Sequence, residues 1–175
     1  MTLKPKLRGF VFIGFYAIML LVMIMDFPKR KPLRLSGYDY SRAGYYFITI
    51  CTKDKQKLLC DIVGDDAHIV PTKLGAIVDK YIKNIKELDK YVIMPNHVHL
   101  IIKIENGTMR ASSPTKTVPS IIRSLKTLVS KEYGKSVWQR SFYDHIIRGE
   151  KDYHEIWNYI DENPAKWKED RFFVE

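Results

Sequence analysis

Hydrophobic positions recur along this chain with two periods, and each switch between them marks out an element. Gly44 to Thr52 (GYYFITICT) is dense in aromatic and β-branched residues and predicts a strand. Leu74, Ile77, Val78, Tyr81, Ile82 and Ile85 follow at helical spacing and predict an amphipathic helix over Thr72 to Leu88. Lys90 to Met94 and His97 to Ile104 (HVHLIIKI) read as two β segments around a tight turn or bulge at Pro95-Asn96. Gly107 to Thr117 reads as one flexible loop. A second helical stripe then runs through Val118 to Tyr133, carried by Ile121, Ile122, Leu125, Leu128 and Val129. Val137 to Ile147 predicts another strand or extended pair. In Glu150 to Glu162, Tyr153, Ile156, Trp157 and Ile160 share the apolar face of a last helix. It should stop at Asn163-Pro164, because the residue before proline disfavours the helical conformation. Strands and helices in this order predict an α+β domain with hairpins in an antiparallel sheet.

A different pattern precedes it. Gly9 to Met25 is an uninterrupted apolar run with Lys4, Lys6 and Arg8 before it and Lys29, Arg30, Lys31 and Arg34 after it. As a helix it would reach about 25 Å at ~1.5 Å per residue, against a bilayer core of about 30 Å. Positive charge on both sides leaves its orientation ambiguous, and no small-residue cleavage site follows. We expect residues 1–25 to be a leader upstream of a true start at Met23 or Met25, with a membrane tether over 9–25 as the alternative. Residues 26–175 are expected to form the functional domain.

Charge adds a partner class. Twenty-nine Lys and Arg against twenty Asp and Glu give +9, which falls to +6 if Lys4, Lys6 and Arg8 leave with the leader. That excess suits a polyanion without naming one. Two cysteines, Cys51 and Cys60, are too few for a disulfide scaffold and have no metal-ligand spacing, so the expected compartment is a reducing cytoplasm.

The candidate chemistry lies in two places. His97 and His99 are two apart, so on a strand both imidazoles leave the same face and can meet one metal ion. Equally, both can be satisfied by backbone or solvent. Tyr159 and Asn163 are four apart near the end of the last helix, one turn along the same side. Asn163 could add an oxygen ligand and Tyr159 a nucleophile, and two nitrogens with one oxygen suit Mg²⁺ or Mn²⁺. Tyr153 is the competing nucleophile, without a polar residue four positions on; His145 and His154 read as structural.

PNHVHLII, VWQRSFYDHIIR and YIDENPAKW, in this order and spacing, resemble the histidine, strand and tyrosine-helix motifs of the REP-associated tyrosine transposases, a single-tyrosine branch of the HUH nucleases. RKPLRLSGYDYSRAGYYFITICT is similar to the opening of that family, so the resemblance runs from about Lys29 to Lys168. It implies a ferredoxin-like antiparallel sheet with packed helices, the histidine pair on a central strand and the tyrosine helix beside it. It implies a single-stranded or hairpin DNA substrate, a divalent metal at His97, His99 and Asn163, no small-molecule cofactor, and Tyr159 forming a 5′-phosphotyrosine. Residence with the nucleoid in the cytoplasm would follow; monomer and dimer both stay open.

For DNA contacts the basic clusters nominate Arg30, Arg34, Arg123, Lys126 and Arg140 for phosphates, and Tyr38, Tyr40 and Trp138 for stacking on unpaired bases. Two other readings remain: a protein that holds hairpin DNA without cutting it, and an HUH replication initiator or relaxase.

Overall fold

The computed structural model describes residues 37–64, 66–105 and 117–175. The expectations on residues 1–25, on Arg30 and Arg34, and on nearly all of the 107–117 loop lie outside them. Among the described residues no helix is long and apolar enough to cross a membrane.

Among the described residues, six strands and three α-helices follow in order, besides short 3-10 turns at Lys53–Lys55 and Trp167–Glu169: β1 (Gly44–Cys51), β2 (Cys60–Val63), β3 (His68–Pro71), α1 (Lys73–Lys83), β4 (Leu88–Met94), β5 (His97–Ile104), α2 (Val118–Tyr133), β6 (Tyr143–Ile147) and α3 (Glu150–Glu162). The main sheet has the order β4-β5-β1-β6 with every neighbouring pair antiparallel. With β2 and β3 set aside as a separate hairpin, the order β1-α1-β4-β5-α2-β6 is ferredoxin-like. The hairpin is an insertion that the hydrophobic periodicity did not mark.

Strand alternation gives the sheet two faces. Tyr46, Ile48, Ile50, Val98, Leu100 and Ile102 point one way, into a large core closed by Leu74, Val78 and Ile82 of α1 and Ile122, Leu125 and Val129 of α2. Helix α2 starts on a capping box between Thr117 and Ser120 and stops at Gly134, whose left-handed backbone (φ 87°) glycine adopts without strain. Helix α1 starts at the Thr72 cap and ends at Lys83, earlier than the apolar spacing through Leu88 predicted. Gly75 lets it approach the preceding loop, since a Cβ there would meet the Leu59 carbonyl oxygen at 1.9 Å. On the other face Val92, Met94 and Ile101 pack against Ile160 of α3 in a smaller cluster with Tyr153, Ile156 and Trp157 at its border.

Strand β6 is shorter than the extended run expected over Val137 to Ile147. Trp138 makes only an isolated bridge to Thr52, and a turn with positive φ at Ser141 intervenes. Cys51 and Cys60 are free and buried.

Candidate active site

The paired histidines of β5 occupy the sheet face that meets α3. His97 is fully buried and His99 is 1% exposed, and their Nε2 atoms lie 2.9 Å apart. The outer nitrogens are held by neighbours. His97 Nδ1 is 2.8 Å from Asn96 Oδ1, and His99 Nδ1 is 2.9 Å from Thr49 Oγ1 on the adjacent strand β1. Asn96 Nδ2 donates to the Phe172 carbonyl (2.8 Å) and the Lys55 carbonyl (3.2 Å), which fixes the amide with its oxygen toward His97. His97 must then carry its proton on Nδ1 and present a lone pair at Nε2. With Thr49 accepting, His99 takes the same tautomer and two lone pairs converge on one point. That convergence is repulsive unless a cation lies between them or His99 turns its proton inward.

Both rings are neutral at neutral pH. Burial pulls His97 down to about 4, with Arg171 and Lys55 pushing the same way and Asp170 opposing. Burial likewise drives His99 well below its ordinary value, helped by His97 and Arg171. Neutral imidazole is the form that binds a metal.

Helix α3 brings Tyr159 to this pair. Its hydroxyl is 3.3 Å from His99 Nε2 and donates to Asp170 Oδ2 at 2.7 Å, while its ring packs edge-on to Phe47 and His99. Tyr159 keeps 38% of its surface accessible, so a substrate can reach it. Burial of the phenol and the bond and charge of Asp170 raise its pKa well above the ordinary value, so the hydroxyl needs help to lose its proton. Asn163 continues the helical backbone one turn on, despite Pro164, and is 3% exposed. Its Nδ2 donates to Asp170 Oδ2 (2.9 Å), and its Oδ1 is buried without a hydrogen-bond partner. An orphaned buried oxygen is costly unless something absent here satisfies it, so Asn163 fits a ligand role.

Asp170 was not found from the sequence. Burial would raise its pKa, but hydrogen bonds from Asn163, the Phe172 N–H and Tyr159 outweigh this and hold it below the ordinary value. One ligand atom each from His97, His99 and Asp170 can be chosen within 4.8 Å of one another, a grouping able to hold a metal ion. Asp170 lies past the end of α3 and its turn, where no periodicity relates it to the histidines. Thr49 and Asn96 were equally unmarked, although Asn96 directly precedes His97 in the quoted motif.

The remaining candidates separate. Tyr153 is directed elsewhere, its hydroxyl donating to Asp89 (2.7 Å) and its ring against Tyr45 and Trp157. Two stacking candidates require correction: Trp138 and Tyr40 are 7% and 8% exposed, because both rings fill the large core. Tyr38 is half-buried against Tyr40 and Tyr46. Arg123 and Arg140 are exposed, while Lys126 donates to the Gln139 carbonyl (2.8 Å) and to that of Ser141, tying α2 to the turn before β6.

The ferredoxin-like sheet, with two histidines and a tyrosine gathered on one face, is the framework of a DNA-processing transposase. Residues 40–163 match the family model described as "Transposase IS200 like", and the chain belongs to that family. A Haemophilus influenzae protein without assigned function is 36% identical over 171 aligned positions, covering 83% of this chain and 94% of its own length. A REP-associated tyrosine transposase of Escherichia coli is 33% identical over 81 positions, covering 46% of this chain and 45% of its own. The solved structure of a REP-associated tyrosine transposase bound to a REP hairpin superposes with a TM-score of 0.51 at 26% identity, covering 76% of this chain and 74% of that one.

Proposed function

We propose that this protein cuts one strand of hairpin-forming DNA and rejoins it through a covalent bond to Tyr159. The observation that carries this reading is an accessible tyrosine whose hydroxyl lies 3.3 Å from His99 Nε2, in a pair of neutral, buried imidazoles whose Nε2 atoms are 2.9 Å apart. His97, His99 and Asn163 would hold a divalent ion, with Asp170 as a further oxygen. Two imidazoles with oxygen donors and no thiolate suit Mn²⁺ or Mg²⁺. Such an ion supplies polarisation of the scissile phosphate and stabilises charge on the departing 3′ oxygen.

The chain's own groups do the rest. Asp170 orients the Tyr159 hydroxyl and can take its proton as the phenolic oxygen attacks phosphorus. The bond from phosphorus to the 3′ oxygen breaks, giving a free 3′-OH and a 5′-phosphotyrosine. Attack by another 3′-OH on that phosphotyrosine reforms the phosphodiester and returns the tyrosine, so no ATP is consumed. Thr49 and Asn96 keep the histidine lone pairs facing inward throughout. Arg123 and Arg140 are proposed phosphate contacts. Hairpin DNA as the substrate is supported by the relative solved with a REP hairpin, and such a substrate implies residence with the nucleoid.

The test is incubation of the protein with labelled hairpin DNA bearing single-stranded flanks, in Mn²⁺, Mg²⁺ or EDTA, followed by denaturing electrophoresis. A metal-dependent, SDS-resistant adduct is expected. Tight hairpin binding with no adduct in either metal would instead favour a non-cutting DNA-binding protein.

A further inference from the structure

A cleft of about 520 Å³ runs along the outer part of β6, bordered by Phe47, Tyr143, His145, Asp152, Tyr159 and Arg171. Its position follows from strand alternation. Tyr143 and His145 sit opposite Thr49 and Phe47 of β1, so all four leave the sheet on the side of the tyrosine helix. Asp152 and Tyr159 are seven residues apart on α3, two turns along one side.

Inside it, His145 Nε2 lies 2.9 Å and 3.1 Å from the two Asp152 oxygens, and one of these also accepts the Arg148 N–H at 2.8 Å. This pair is separate from the His97, His99 and Asp170 grouping, and the chemistry above does not use it. Tyr143 is 40% exposed, with the Arg171 guanidinium 5.6 Å from its ring centroid. The cleft therefore offers flat surfaces, a cation and a polar wall next to the nucleophile.

We propose that this cleft seats the unpaired nucleotide beside the scissile phosphate, and that His145, held by Asp152, reads its base. The inference rests on Tyr159 being the cutting residue. The volume falls in the range of pockets that take one small molecule, roughly 300–1,000 Å³. Tyr143 and the Arg171 plane are surfaces on which a base stacks, and the Arg171 charge answers its phosphate. In its neutral form, His145 facing a carboxylate carries its proton on Nε2 and leaves an acceptor lone pair on Nδ1. With the spare acceptor capacity of Asp152, that wall selects a base with an exocyclic amino group (adenine, cytosine or guanine) over thymine.

Two readouts test this. In the first, hairpin oligonucleotides carry 2-aminopurine at each position flanking the mapped cut, and fluorescence is followed in EDTA with the uncut complex of Tyr159→Phe protein. Quenching at one position is expected, largely reversed by adding Tyr143→Ala. In the second, the base at that position is varied while adduct formation in Mn²⁺ and binding affinity in EDTA are measured. The wild type should prefer adenine, cytosine or guanine over thymine by roughly tenfold. His145→Ala should level that preference while still forming adduct, and Asp152→Asn should lower it partway. Absence of quenching at every flanking position, or a His145→Ala protein with the wild-type base preference, would overturn the proposal. Quenching and amino-base preference in binding without any wild-type adduct would uphold the seat and remove the cutting role of Tyr159.

Discussion

The two faces of the four-stranded sheet share their strands and differ in what they bury. Toward α1 and α2, alternate residues of β1 and β5 are all apolar and close into one continuous core. Toward α3, the intervening residues include Thr49, His97 and His99, and only four buried apolar side chains form the cluster there. Buried polar groups cost stability unless paired, and here Asn96, Thr49 and Asp170 pair nearly all of them. One face holds the fold, and the other gives up apolar burial to hold lone pairs and a hydroxyl in fixed positions.

Adjacent substitutions in β5 should separate these roles most sharply. Leu100→Ala, on the fully buried apolar side, is expected to lower unfolding free energy by about 2–5 kcal/mol in denaturant titrations and to leave adduct formation intact where the protein remains folded. His99→Ala should cost less stability and cut metal-dependent adduct formation by more than the roughly 10–100-fold typical of outer supports. A His99→Ala protein as unstable as Leu100→Ala and still fully active would erase the distinction.

The polar face should also carry the pH dependence. An unfolded histidine titrates near 6.5, while His97 in the fold titrates at about 4. The unfolded chain therefore takes up the proton first as the pH drops. The stability of metal-free protein should be fully present above about 6.5 and fall through that window, by on the order of 3 kcal/mol from His97 once the pH is below 4. His99 adds in the same direction. Asp170, held below its ordinary value, loses its contribution only at still lower pH. Thermal melts in EDTA from pH 8 to pH 4 would show this slope, and His97→Gln should flatten it; a slope unchanged by that substitution would count against the neutral pair.

A smaller effect is expected one layer out. Thr49→Val keeps the shape and removes the oxygen beside His99 Nδ1, so Mn²⁺ affinity measured by calorimetry should weaken by about tenfold, with a modest drop in melting temperature from the buried His99 N–H left unpaired. Equal affinity in the variant would show that His99 needs no partner to present its lone pair.

How far each face was legible in the sequence follows from the same contrast. The apolar side repeats with the period of its element, which is why β1, β5, α2 and the stripe of α3 could be read directly. The histidine pair was legible because two residues on one strand share a face, and Tyr159 with Asn163 because four residues make about one helical turn. Asp170 was not, since it reaches the site from an irregular turn whose placement depends on tertiary contacts. The β2-β3 hairpin escaped because two four-residue strands, largely exposed, carry too little alternation to register. Trp138 and Tyr40 were misjudged because an aromatic in a polar stretch looks the same in sequence whether it stacks on a base or plugs the core.

The most direct test of the central claim is to trap the adduct on hairpin DNA in Mn²⁺, digest protein and DNA, and locate the nucleotide by fragmentation mass spectrometry of the peptide spanning Tyr153 and Tyr159. The account predicts a single modified residue, Tyr159, with none detected in EDTA or in Tyr159→Phe. A nucleotide on Tyr153, or an adduct that survives Tyr159→Phe, would contradict it.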